Sequence, residues 1–226
     1  MVEPGRPGAP TVPRARGDIA RRVAGSAAVG CALAGAVAVT LAVVAGPGSG
    51  LTGYVSEAGI ADTGHAATYR LGVLALAGAL LLIGAALPPG VWAAPGLLAA
   101  GAVCTAVSGV VTCSDGCPLP PFERTTAADL VHGGASIVAT AAVVFAMITL
   151  AVSGPAGPTV RRLAGVAAAL TLPLCVTVGL AMLVIGRGPV VGVLERLILA
   201  LTVLWGVTTA TALALCKGPH ADGSFR

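Results

Sequence analysis

Six stretches of about twenty apolar residues, none with a charge near its centre, decide what this chain can fold into. They fall at approximately 23–46, 70–88, 91–112, 128–152, 163–186 and 194–216. A helix needs roughly 20 such residues to cross about 30 Å of hydrocarbon, where each backbone N–H and C=O must find its partner within the chain. Charges and Pro/Gly clusters lie between the stretches, as at Pro47-Gly48, Pro88-Pro89-Gly90, Pro118 to Pro121 and Gly154-Pro155. The pattern predicts an all-α polytopic membrane bundle of six transmembrane helices. Composition excludes the soluble alternative. Only 10% of the 226 residues are charged, against about 25% in a soluble domain, too few to cover a water-soluble particle of this size. Aromatic residues make up 3%, and the abundant Ala and Gly suit helices whose backbones approach closely in lipid.

Three parts follow: a basic, disordered cytoplasmic tail at 1–21, a membrane domain at 22–216 and a short cytoplasmic tail at 217–226. The first part is rich in Pro, Gly and Arg and too poor in apolar groups to offset the entropy of ordering. The Leu87-Pro88-Pro89-Gly90 turn makes the second and third spans an antiparallel hairpin. Pro173 interrupts the amide ladder of the fifth. The first apolar run, at about 24 residues, is too long for a cleaved signal core and is expected to stay. Arginine so outnumbers lysine, with Lys217 the single lysine, that a GC-rich bacterial coding source is expected.

Orientation follows from the basic residues of the loops. With six spans, Arg6, Arg14, Arg16, Arg21, Arg22, Arg161, Arg162, Lys217 and Arg226 share one side, and Arg70, Arg124, Arg187 and Arg196 the other. Nine against four predicts that both termini are cytoplasmic. The acidic residues Glu57, Asp62, Asp115, Glu123, Asp129 and Glu195 then lie outside. Trp92 and Tyr69 are expected to anchor helix ends at the interfaces, and Trp205 to pack inside.

The loop before the fourth span holds most of the chemistry. Cys113 and Cys117 are separated by three residues, with Gly116 easing the turn, and face the side where disulfides persist. A disulfide is the expected state; free thiols, or a metal site completed by His132, are the alternatives. The spacing is not C-x₂-C and the ligand count is short. Thr125 or Thr126 is placed to cap the fourth helix with Asp129 in its first turn. Asp129, His132, Ser136 and Thr140 share one helix face, and Thr105, Ser108 and Thr112 form a second polar row on the third span. The two rows either line an outward cavity or hold the helices together. Glu195 and Arg196 open the sixth span; Glu195 either benefits from the helix N-terminus or pairs with Arg70, Arg187 or Arg124. Glu57, Arg70, Asp129, His132, Glu195 and Arg196 form the candidate outer binding cluster. No phosphate loop, H-E-x-x-H pair, G-x-S-x-G elbow or dinucleotide fingerprint occurs, so no cofactor, metal or catalytic residue is assigned. The basic tail lacks interleaved aromatics, so membrane lipids rather than nucleic acid are the expected partners.

Two phrases carry a resemblance: Cys117-Pro-Leu-Pro-Pro-Phe-Glu-Arg-Thr-Thr-Ala-Ala-Asp-Leu-Val-His132 and Val193-Leu-Glu-Arg-Leu-Ile-Leu-Ala-Leu-Thr-Val-Leu-Trp205. They resemble the domain-of-unknown-function family 998 of bacterial and archaeal multi-pass membrane proteins, over most of the chain beyond the tail. That resemblance implies fold and location but no activity. Tyr54-Val-Ser-Glu-Ala-Gly59 is similar to a Tyr-Ile-Ser-Asp-Thr-Gly phrase of the six-span Frag1/DRAM/Sfk1 group, with Glu-Ala replacing Asp-Thr. By that analogy a role in lipid organisation is implied. Three functions remain in order of expectation. The first is binding of a lipid headgroup or small solute, or assistance to another membrane protein. A solute or ion transporter comes second, and a membrane hydrolase using Asp129, His132 and His65 third.

Overall fold

The computed structural model describes residues 12–46, 53–60 and 64–215. Six helices account for most of them: α1 (Val12–Ala45), α2 (Ala66–Ala86), α3 (Ala93–Val110), α4 (Ala127–Val152), α5 (Gly157–Val184) and α6 (Pro189–Leu215). A 3-10 turn at Val55–Gly59 lies between α1 and α2. All six helices are long and apolar enough to cross a bilayer. At about 1.5 Å per residue, even the 18-residue α3 spans nearly the whole hydrocarbon thickness. Each helix packs on the next, and α6 returns against α1 to close the ring. The N-terminal part of α1 and the C-terminus of α6 therefore share one end, where Arg22 Nε donates to Ala214 O at 3.1 Å.

Many large apolar side chains face outward, and small residues fill much of the interior beside a few large ones. Leu33, Val37, Leu41, Phe145, Leu180 and Leu183 are exposed on the outer faces, while Ala28, Ala94, Ala146, Ala164 and Ala210 are fully buried. Lipid solvates the large apolar groups, and small interior residues let backbones meet. The closest approach joins α1 and α2. A Cβ built on Gly35 would lie 2.7 Å from Gly72 O, and one on Gly72 2.9 Å from Gly35 O. The larger apolar core, with Ile83, Leu98, Met147, Leu150 and Trp205, draws on all six helices. A smaller cluster of Ala42, Val55, Ala58, Tyr69 and Val73 sits under the 3-10 turn at the opposite end.

All helices but α3 begin earlier than hydropathy predicts. Residues 12–21, expected as disordered tail, form the first turns of α1. Ala, Arg and Ile sustain a helix once it is nucleated, and Arg21 pairs with Asp18 one turn away. α5 starts at Gly157 rather than 163, and α6 at Pro189 rather than 194. Hydropathy registers only the lipid-soluble part of a helix, whereas Arg161 and Arg162 extend α5 as a polar turn whose long side chains reach water, and Glu195 and Arg196 lie in the early turns of α6, bonded to the backbone of the α1–α2 loop. Glu195 is consequently the seventh residue of α6, past the first turn in which a helix N-terminus favours a carboxylate. Tyr69 is buried beneath Gly59 rather than anchored at an interface, and Trp92 is 91% exposed at the start of α3. Arg6, Asp62, Cys216, Lys217 and Arg226 lie outside the described residues.

Candidate functional site

At the end remote from the termini, three loops lock together into a cap. The α3–α4 loop is closed by the Cys113–Cys117 disulfide, with the two Cα atoms 5.0 Å apart. Gly116 (φ 76°) supplies the left-handed turn that the hairpin requires. Ser56, in the 3-10 turn, places its hydroxyl 3.3 Å from Cys117 Sγ, which carries no proton, so the hydroxyl donates. Arg187, between α5 and α6, donates through Nη1 to Gly116 O. Gly186, also left-handed, accommodates the Phe122 ring. From α6, Arg196 Nη1 donates to Gly53 O and to Gly192 O, and the Glu195 carboxylate accepts the Val55 N–H at 3.1 Å. These bonds fasten the α1–α2 loop both to the disulfide hairpin and to α6, and the α5–α6 loop to the hairpin.

Asp129 organises the α3–α4 side. Thr126 caps α4 in a capping box: its hydroxyl accepts the Asp129 N–H, while Asp129 accepts the Thr126 N–H at 2.7 Å. Asp129 also accepts from the Thr126 hydroxyl (2.8 Å) and, from the preceding loop, the Ser114 N–H (2.7 Å) and hydroxyl (3.0 and 2.9 Å). Its buried carboxylate is saturated and acts as a clamp.

His132, one turn on and 7% exposed, is held through Nδ1, which lies 2.9 Å from both Ser108 O and Val111 O. Carbonyls only accept, so Nδ1 carries a proton. Ser136 donates to His132 O and therefore accepts from Ser108, 2.8 Å away. The polar rows of α3 and α4 thus close on each other through Ser108, His132 and Ser136; Thr140 bonds back to Ser136 O in its own helix.

The six clustered candidates separate into two groups. Asp129 and His132 belong to the α3–α4 clamp, whereas Glu195, Arg196 and Glu57 gather where α6 meets the 3-10 turn; no hydrogen bond or ion pair joins the groups among the described residues. Arg70 belongs to neither. It lies in the second turn of α2, with its Nε buried and without a hydrogen-bond partner among them. The expected pairing of Glu195 with Arg70, Arg187 or Arg124 does not form. The carboxylate finds a backbone amide from across the bundle instead, because the chain brings Val55 rather than a guanidinium to that face. The disulfide joins the thiols that the metal alternative required, and among the described residues no group of three His, Cys, Asp or Glu is placed to hold a metal ion.

Tyr54 escaped the candidate list. It precedes the amide that binds Glu195, is 9% exposed, and its hydroxyl is buried without a partner among the described residues. Burial, then the Glu195 carboxylate, push its phenol from 10.0 up to about 12, with Arg187 opposing and Glu123 and Glu57 adding to the rise. An aromatic residue three positions before a loop glutamate was the only sequence signal. Among the described residues, three further buried polar atoms lack partners: Thr171 and Thr209 Oγ1 and Trp205 Nε1. No charged residue accompanies them on the central turns of α5 and α6, whereas Tyr54 stands among four ionisable side chains.

Fold and cap together define a six-helix, multi-pass membrane protein with interlocked loops at one end. The chain belongs to the family described as Protein of unknown function (DUF998), whose family model matches residues 26–212 and so takes in all six spans and the whole cap. No curated protein and no solved structure matches it.

Proposed function

We propose that this protein is a non-enzymatic binding protein of a bacterial cytoplasmic membrane. It takes a lipid headgroup or small polar solute at the capped end, with both termini in the cytoplasm. One observation carries this reading: among the described residues, the Tyr54 hydroxyl and Arg70 Nε are buried without hydrogen-bond partners at that end. A buried polar group left unpaired costs about 1–3 kcal/mol, so a ligand that satisfies it recovers that cost. The excess of arginine at the termini end supports the orientation, and the disulfide suits an oxidising outer face. Asp129 and His132 support the site from beneath, their carboxylate and Nδ1 already committed to serines, threonine and backbone.

The test is thermal unfolding of the purified protein in detergent micelles against a panel of anionic, zwitterionic and cationic headgroup fragments. At least one member should raise the unfolding midpoint, and the shift should be lost in the Tyr54→Phe/Arg70→Gln double variant. A panel that shifts nothing, or shifts wild type and variant alike, removes the basis for this reading.

A further inference from the structure

We infer that the end of the bundle opposite the cap carries a separate site, a groove between α1 and α6 that seats an anionic phospholipid with its phosphate on Arg22 and Ser26. The groove has a volume of about 610 Å³ and is lined by Arg22, Val23, Ser26 and Ala27 of α1 and by Ala214 and Leu215 of α6. It lies beside a close approach of the two helices. A Cβ built on Gly25 would sit 3.0 Å from both Ala210 O and Ala214 N, so the backbones touch there. Arg22 and Ser26 are one turn apart on the same face of α1. Arg22 Nε donates to Ala214 O at 3.1 Å, which covers a carbonyl at the end of α6 and fixes the guanidinium at the groove. Its two Nη nitrogens and the Ser26 hydroxyl make no hydrogen bond to a described residue. A planar fork of N–H donors beside a hydroxyl suits the oxygens of a phosphate.

The charge at this end selects an anion. Among the described residues it holds Arg16, Arg21, Arg22, Arg161 and Arg162 against the single carboxylate of Asp18, which Arg21 takes. The acidic residues Glu57, Asp115, Glu123, Asp129 and Glu195 all belong to the capped end. Basic residues gathered where helices leave the hydrocarbon attract anionic headgroups. The walls of the groove select a lipid over a free anion. Val23 is 63% and Leu215 70% exposed, and these apolar flanks beside Arg22 match an acyl chain running on from its phosphate, whereas inorganic phosphate would leave them uncovered.

Native mass spectrometry of the full chain, released from detergent micelles and titrated with phosphatidylglycerol, phosphatidylcholine or inorganic phosphate, reads both the number of bound molecules and their affinity. Phosphatidylglycerol should bind at least about tenfold more tightly than phosphatidylcholine, whose choline cancels the phosphate charge, and inorganic phosphate should not displace it. Arg22→Gln keeps a donor for Ala214 O but loses the charge and the fork, and should weaken phosphatidylglycerol at least about tenfold. Arg162→Gln, at the same end but off the groove, should weaken it by less than about fivefold. Ala27→Leu alters no charge but fills the groove, and should weaken it about tenfold by steric exclusion. All three positions are exposed, so the variants should unfold at the wild-type midpoint. Equal losses from Arg22→Gln and Arg162→Gln, or an unaltered affinity in Ala27→Leu, would reduce the site to a diffuse basic belt and overturn the proposal. Displacement by inorganic phosphate would overturn the choice of a lipid. Markedly tighter phosphatidylglycerol binding in a chain ending at Leu215 would make residues 216–226 the occupant instead, and would overturn it as well.

Discussion

Asp129→Ala should be among the most damaging single substitutions outside the apolar core. The carboxylate accepts two backbone N–H groups, from Ser114 and Thr126, and the hydroxyls of the same two residues. Removing it leaves two amides without partners at a place 6% exposed, and each unsatisfied buried donor costs about 1–3 kcal/mol. Water reaching the loop returns part of that, so the expected loss is about 2–4 kcal/mol. Thr126→Ala removes one cap acceptor and should cost about 1 kcal/mol. The two losses should not add, because both residues belong to one capping box. Reversible denaturant unfolding in mixed micelles, followed by circular dichroism, measures all three variants. An Asp129→Ala stability within about 0.5 kcal/mol of wild type would refute the clamp, as would strict additivity in the double variant.

Other consequences are open to the same kind of measurement. Gly35→Ala should destabilise by about 1–3 kcal/mol through overpacking, since its new methyl meets the Gly72 carbonyl, whereas Gly30→Ala, with nothing within 4 Å, should be neutral or slightly stabilising by helix propensity. Reduction of the Cys113–Cys117 bond, or Cys117→Ser, should speed proteolysis within the 113–126 loop by unfastening it from Ser56; an unchanged digestion rate would contradict the interlocked cap. The folded state holds the Tyr54 phenol above its usual 10.0, at about 12, so the stability it contributes is complete below pH 10 and is lost as pH rises toward 12. Alkaline unfolding profiles of wild type and Tyr54→Phe should therefore diverge over that window; superimposable profiles would argue against the enclosed hydroxyl.

The spans were legible because lipid imposes a demand that the sequence must meet locally: about twenty apolar residues in a row, with every amide paired inside the helix. The helix ends were less so, since Arg161, Arg162, Glu195 and Arg196 interrupt hydropathy without interrupting the backbone. The capping box was readable from Thr126 and Asp129, three residues apart, and the shared face of His132 and Ser136 followed from helical spacing. What spacing does not carry is which loop meets which. Val55 and Glu195 are 140 positions apart, and a backbone amide leaves no mark in the sequence as a partner, so a guanidinium was expected. Ser114 and Tyr54 were passed over for the same reason: each is an ordinary loop residue until the three loops close on one another.

Six spans put the cap and the short α2–α3 turn on opposite sides of a bilayer. Single cysteines placed at Asp115 in the cap and at Pro89 in the α2–α3 turn, in a chain otherwise free of cysteine, can be labelled with an impermeant maleimide. Intact cells should label the Asp115 position, and only permeabilised cells the Pro89 position. Labelling of both positions from the same side would contradict the six-span arrangement.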